Sequence, residues 1–226
     1  MDERFPERPL TILFSDVEGS TDLRTQLGDA AAHRILRSHE DVVRSCVAEH
    51  DGREIKTLGD GFMVAFASAR KAVACAVAIQ QRLDERNQAA PGEEVLVRIG
   101  INTGEVTVEG DDLYGQAVNA TARIAARAKG GEILVSEFVR HLIGSGPEFS
   151  FHDRGRFRLK GFPERWHLYG VVYTSGEPSD IVRFAERTPF VGRETERAEL
   201  RRLLGRTLQG SGAVVMIGGE PGVGKT

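Results

Sequence analysis

The sequence predicts an α+β domain, and three features carry that prediction. Short apolar runs of strand length alternate with two long segments of helical period, and the glycine-flanked aspartate Gly59-Asp60-Gly61 joins two of the runs as a tight hairpin. The predicted elements follow the order strand, helix, hairpin, helix, hairpin, helix, strand, which builds helices onto a sheet. At 226 residues and 40% hydrophobic content, the chain can bury one full core with residues left for part of a second.

Residues 9–16 (P-L-T-I-L-F-S-D) read as a largely buried strand, and Glu18-Gly19-Ser20-Thr21 as a turn whose hydroxyls suit a helix cap. A long helix is predicted over 30–49. Strands over 53–58 and 62–66 flank the glycine turn, which puts Asp60 at a loop tip. From Ser68 to Asn87, the residues Ala72, Val73, Ala76, Val77, Ile79 and Leu83 keep the helical period and form one buried stripe. Strands over 95–101 and 106–108 are read as a second hairpin, followed by a helix over 115–128, a strand over 132–135 and a short helix over 136–143. Strands over 154–159 and 166–172 close the domain near residue 173. This order resembles the ferredoxin-like pattern with additions.

The first domain is thus placed at 1–173. Thr174-Ser175-Gly176-Glu177-Pro178-Ser179 has linker composition, and the linker is taken as 174–188. A new pattern starts with F-V-G-R-E-T-E at 190–196, so a second unit is placed at 189–226. A net charge of -3 provides no overall basic field for nucleic acid, which is not expected as a partner of these residues. The start, Met1-Asp2-Glu3-Arg4, carries no apolar signal core, and the longest apolar run, 72–79, is too short to span a bilayer. Cys46 and Cys75 lie among apolar neighbours in helical segments, which reads as buried thiols in a reducing compartment; a cytoplasmic location is the expectation.

Two aspartates end apolar strands at turns: Asp16 in L-F-S-D-V-E-G-S-T and Asp60 in I-K-T-L-G-D-G-F. Singly each reads as a turn or cap residue; as a pair they can hold two Mg²⁺ or Mn²⁺ ions, hard cations that take carboxylate and phosphate oxygens. The turn Gly19-Ser20-Thr21 would offer backbone N–H groups to a triphosphate, although a capped helix start looks the same. In L-Y-G-Q-A-V-N-A-T-A-R, Asn119 and Arg123 are four apart and share one helix face. They form either a solvated pair or an amide and a guanidinium ready for a ribose and a developing phosphoryl charge. Lys56 and Asp112 supply a donor and an acceptor that complement the N1 and exocyclic amine of adenine, but guanine also offers one of each.

Taken together, F-S-D-V-E-G-S-T, I-K-T-L-G-D-G-F-M-V-A-F, R-I-G-I-N-T-G and Y-G-Q-A-V-N-A-T-A-R resemble, in order and spacing, the class III adenylate and guanylate cyclase catalytic domain over residues 9–173. The resemblance implies the cyclase fold, with helices on a mainly antiparallel sheet, and conversion of ATP to cyclic AMP. It makes Asp16 and Asp60 the ligands of two Mg²⁺ or Mn²⁺ ions per site, with the Val17 carbonyl as a further ligand. Lys56 and Asp112 become the base-selecting pair, where guanylate cyclases typically place glutamate and cysteine. Asn119 matches the ribose-orienting asparagine, Arg123 the arginine that stabilises the transition state, and Lys160 in R-L-K-G-F resembles a lysine on the terminal phosphates.

The family's sites lie between two catalytic domains, so the resemblance implies a homodimer with two sites. His33, His39 and His50 fall on or beside the long helix and are read as surface or core residues, with no histidine needed as a base. Two rival readings are a non-catalytic module that senses ATP and dimerises, and a guanylate cyclase. The final residues satisfy G-x-x-x-x-G-K-T after the apolar strand A-V-V-M-I-G, with Gly219, Gly224, Lys225 and Thr226 as the phosphate loop. With F-V-G-R-E-T-E they resemble the beginning of an AAA/STAND-type ATPase. A longer chain with downstream ATPase domains is therefore expected, the helix and acidic motif that complete such a site lying beyond Thr226.

Overall fold

The computed structural model describes residues 9–20, 23, 25, 28–144 and 148–173. The linker at 174–188, the unit at 189–226 with its phosphate loop, and Thr21 lie outside the described residues. Nine strands and four longer helices can be named among those described: β1 (Leu10–Val17), α1 (Asp29–Glu49), β2 (Arg53–Leu58), β3 (Gly61–Phe66), α2 (Ala69–Ala89), β4 (Val97–Gly104), β5 (Thr107–Glu109), β6 (Asp112–Tyr114), α3 (Gln116–Ala125), β7 (Ile133–Ser136), α4 (Glu137–Ile143), β8 (Ser150–Arg158) and β9 (Arg165–Val172).

Seven strands form one sheet in the order β2-β3-β1-β4-β7-β9-β8, and β5 and β6 form a separate two-stranded ribbon. Every pairing is antiparallel except β4 with β7. The helices cover both faces, so β1 and β3 are apolar on both sides. Leu13, Val17, Phe62, Val64 and Phe66 join Ile35, Val43 and Cys46 of α1, Val73, Ile79 and Leu83 of α2 and Val139 of α4 in the main core. On the other face, Leu10, Ile12, Phe14, Met63 and Ala65 pack with Ala125 and with Val118 and Ala122 of α3.

The second expected hairpin is a correction. Residues 107–109 do not pair with β4, because β1 occupies one edge of β4 and β7 the other. The exposed β5 pairs instead with β6, a strand absent from the sequence reading, which carries Asp112. Ser68 and Ser136 cap α2 and α4, their hydroxyls accepting from the N–H of Lys71 and Val139 at 3.4 Å each.

Close contact sets the position of α3. A Cβ at Gly100 would stand 2.2 Å from the Ala125 nitrogen and 2.6 Å from its Cα, so only glycine lets the helix lie this near β4. Cys46 and Cys75 are free and buried, and burial pushes both thiols above their ordinary range. Among the described residues, no helix is long and apolar enough to cross a membrane.

Candidate active site

Strand register brings the two predicted metal aspartates to adjoining positions at one end of the β1–β3 pair. Ser15 of β1 lies opposite Phe62 of β3, so the next step along the pair sets Asp16 against Gly61, with Asp60 in the turn beside it. A Cβ at Gly61 would stand 2.4 Å from the Ser15 carbonyl oxygen and 3.4 Å from Asp16 Oδ1, which explains the glycine after Asp60. On the other edge of β1, Asp16 is opposite Arg98 of β4. Arg98 Nε donates to Asp16 Oδ2 at 2.8 Å and Nη2 donates to the same oxygen, which leaves Oδ1 outside the pair.

Asp60 Oδ2 is buried and has no hydrogen-bond partner. A buried carboxylate oxygen without a donor is costly, and a hard cation satisfies it well. Among the described residues no group of three or more acidic, histidine or cysteine side chains is gathered as a metal site. Two carboxylates suffice for a Mg²⁺-type ion that takes its other ligands from water and phosphates, so the donor set fits. Val17, at the end of β1, pairs with Val97 and buries its side chain.

The turn after β1 is anchored at Glu18, whose N–H donates to Leu96 O at 2.8 Å and whose Oε2 accepts from Gly130 N–H at 3.1 Å. Gly19 is exposed and Ser20 half-buried, and the Gly19 carbonyl accepts from Leu23 N–H at 3.0 Å, the first step of a helical turn.

Lys56 and Asp112 also come together. Lys56 Nζ donates to Asp112 Oδ2 at 2.6 Å, joining β2 to the β5–β6 ribbon, while Asp112 Oδ1 accepts from Leu113 N–H at 2.8 Å. The Lys56 ammonium holds the Asp112 carboxyl below the usual carboxylate range, ahead of an opposing desolvation and smaller help from Leu113 and Tyr114. Lys56 Nζ also lies 5.5 Å from the centroid of the Tyr114 ring, a residue the sequence reading passed over.

Asn119 and Arg123 do not join either group within the chain. They stand exposed on α3, whose opposite face buries Ala117, Ala120, Thr121 and Ile124. The hollow beside Asp16 measures about 170 Å³ and is lined from α3 by Ala122, Ala125 and Ala126. That is smaller than the roughly 300 Å³ at which ligand pockets begin. A larger groove of about 540 Å³ runs from Asn102 past Gly115 to Phe162 and Trp166 and includes none of the predicted catalytic residues. Lys160 is exposed in the turn between β8 and β9. Arg98 opens R-I-G-I-N-T-G, but no local pattern singles it out, because its contact with Asp16 depends on register across 82 residues.

Residues 4–172 match the family model described as the adenylate and guanylate cyclase catalytic domain, and residues 189–226 match that of the AAA ATPase domain. A putative adenylate cyclase 3 of Rhizobium meliloti is 32% identical over 169 residues, which are 74% of this chain and 29% of that protein. The adenylyl cyclase CyaB from P. aeruginosa superposes with a TM-score of 0.64 at 26% identity, covering 74% of this chain and 94% of that one. The guanylyl cyclase Cya2 does so with a TM-score of 0.65 at 30% identity, covering 76% and 94%. The backbone is shared alike with an adenylyl and a guanylyl cyclase, so the choice of base rests on side chains.

Proposed function

The chain belongs to the adenylate and guanylate cyclase catalytic domain family, and on that premise we propose that it converts ATP to 3′,5′-cyclic AMP and pyrophosphate at sites shared between two copies of the chain. The observation that carries the choice of ATP is the Lys56–Asp112 pair, a fixed ammonium and a fixed carboxylate at 2.6 Å, neither of which is the glutamate or cysteine of a guanylate-type site. On binding, the pair opens so that Lys56 donates to adenine N1 and Asp112 accepts from the exocyclic amine. Tyr114 keeps an aromatic wall beside them.

The ribose 3′ oxygen attacks the α-phosphorus; the O3′–P bond forms as the bond to the β-phosphate bridging oxygen breaks, pyrophosphate leaves with that electron pair, and the 3′ proton passes to solvent. Asp16, Asp60 and the Val17 carbonyl would hold two Mg²⁺ or Mn²⁺ ions per site, which would supply activation of the 3′ hydroxyl and neutralisation of phosphoryl charge. Arg98, freed from Asp16, is placed to meet the phosphates, and the N–H groups of Gly19 and Ser20 line their path. From the other copy, Asn119 orients the ribose, Arg123 places its guanidinium on the α-phosphate oxygens, and Lys160 reaches the terminal phosphates. The small hollow at Asp16 and the outward-facing Asn119 and Arg123 support a site completed by a second chain.

In the longer protein, we propose, the linker at 174–188 leads to an ATPase domain beginning at 189 with the phosphate loop Gly219 to Thr226. The test is product identification by mass with ATP and with GTP, in Mn²⁺ and in Mg²⁺. Cyclic AMP and pyrophosphate in equal amounts, with GTP slower by about tenfold or more, is the expected result. Preferential cyclic GMP would make it a guanylate cyclase, and nucleotide binding without turnover would make it an ATP-sensing module.

A further inference from the structure

On the α1 side of the sheet, behind the carboxylate turn, lies a group of polar side chains that the reaction leaves unused. His39 of α1 is fully buried, and neither Nδ1 nor Nε2 has a hydrogen-bond partner. Its ring meets that of Phe62 edge-on, with centroids 5.9 Å apart at 63°. Phe62 lies directly opposite Ser15, which is 2% exposed and whose Oγ is also unbonded, and it follows Asp60 by two residues. Ser15 Oγ, both His39 ring nitrogens and Asp60 Oδ2 are therefore four buried polar atoms without a hydrogen-bond partner in this one neighbourhood, and buried polar groups are rarely left so.

The chemistry of the three groups is complementary. Burial holds the His39 proton affinity down to a pKa of about 4, against the opposing pull of Asp60, so the ring is neutral and carries one N–H donor and one acceptor. Asp60 Oδ2 needs a donor, and the Ser15 hydroxyl can both give and receive. Ligand carboxylates of metal sites are commonly held from behind in this way, which fixes their angle before the ion arrives.

We propose that His39 is a positioning residue for Asp60: its imidazole N–H, through one ordered water shared with Ser15 Oγ, holds the Asp60 carboxylate in the orientation that receives the divalent ion. This inference rests on Asp60 being a metal ligand. A histidine that only fills the core would be replaceable by leucine with no effect on the metal.

The experiment titrates Mn²⁺ into the full chain in the presence of 3′-deoxy-ATP, which cannot cyclise, and follows free Mn²⁺ by its electron paramagnetic resonance signal. His39→Leu is expected to weaken Mn²⁺ binding by about tenfold or more, with the melting temperature unchanged or raised, and His39→Gln to recover part of the loss. A folded His39→Leu protein with wild-type Mn²⁺ affinity overturns the inference. Should leucine prevent folding, the wild-type chain decides: the ¹⁵N resonances of the His39 ring shift when Mg²⁺ and 3′-deoxy-ATP are added, and no shift overturns it. Asp60→Ala separates the two layers. If it binds Mn²⁺ normally the metal assignment itself falls, whereas loss in Asp60→Ala with retention in His39→Leu removes only the role of His39.

Discussion

The carboxylate end of β1 and the outer face of α3 are built on opposite principles. Asp16 and Asp60 are held by strand register, half-buried, with Arg98 bonded to the first and the glycine that follows the second packed against β1 at Ser15 and Asp16. Asn119 and Arg123 sit on a helix just as firmly seated, through Gly100 and the Asn102 Nδ2 bond to Ala117 O at 3.4 Å, yet their side chains point at solvent. One region is assembled inside the chain; the other has a closely packed base and, among the described residues, no group gathered opposite it. A firmly seated, outward-facing pair is what the proposed shared site requires of its second copy.

The sharpest way to break this contrast is to remove one member from each region. Asp16→Ala and Arg123→Ala should each lower cyclic AMP formation by about a thousandfold. Equimolar mixing should then restore about a quarter of wild-type activity, since half the dimers are mixed and each carries one intact site. No recovery from mixtures of folded, associating variants would place both regions in one chain's site.

The next test concerns acid. The unfolded chain protonates His39 below its ordinary pKa of 6.5, the folded chain only near 4, so stability is intact above that window and declines as pH falls through it. Denaturant melts between pH 7 and 4 should show a loss of at most about 3 kcal/mol that His39→Leu removes. An unchanged slope in that variant would mean that acid acts elsewhere.

Gly100→Ala tests the seat of α3. It places a methyl group into the helix backbone and should cost about 1–3 kcal/mol by thermal or chemical melting. Where the variant stays folded, activity should fall more than Mn²⁺ binding, because α3 moves and the carboxylates do not. The smallest expected effect is at the base: Lys56→Ala should raise the KM for ATP about tenfold with less change in kcat, and an equal fall for GTP would take base selection away from this pair.

Much of the candidate site was legible because its residues sit in local patterns. Asp16 and Asp60 end strands at turns, and Asn119 and Arg123 share a helix face by spacing alone. The Lys56–Asp112 pair was expected, but the strand that carries Asp112 was not. β6 is only three residues long, too short to show any period, and is defined by pairing with an equally short neighbour. The misplaced second hairpin has the same origin, since adjacency in sequence suggested a pairing that competition for the edges of β4 excluded. No local pattern marks Arg98 or Tyr114, because each meets its partner only through a neighbour distant in the chain.

The amino-acid sequence by itself determined the α+β class, the apolar stripes, the turns and the residue types available for phosphate, metal and base, because these follow from periodicity and from side-chain chemistry over a few neighbouring positions. Only the tertiary structure decided that Arg98 grips Asp16, that Lys56 is bonded to Asp112, that α3 turns Asn119 and Arg123 outward, and that His39 is buried without a hydrogen-bond partner against Phe62. Those outcomes depend on strand register and on which elements compete for one edge or face, and such choices are settled by the packing of the whole sheet.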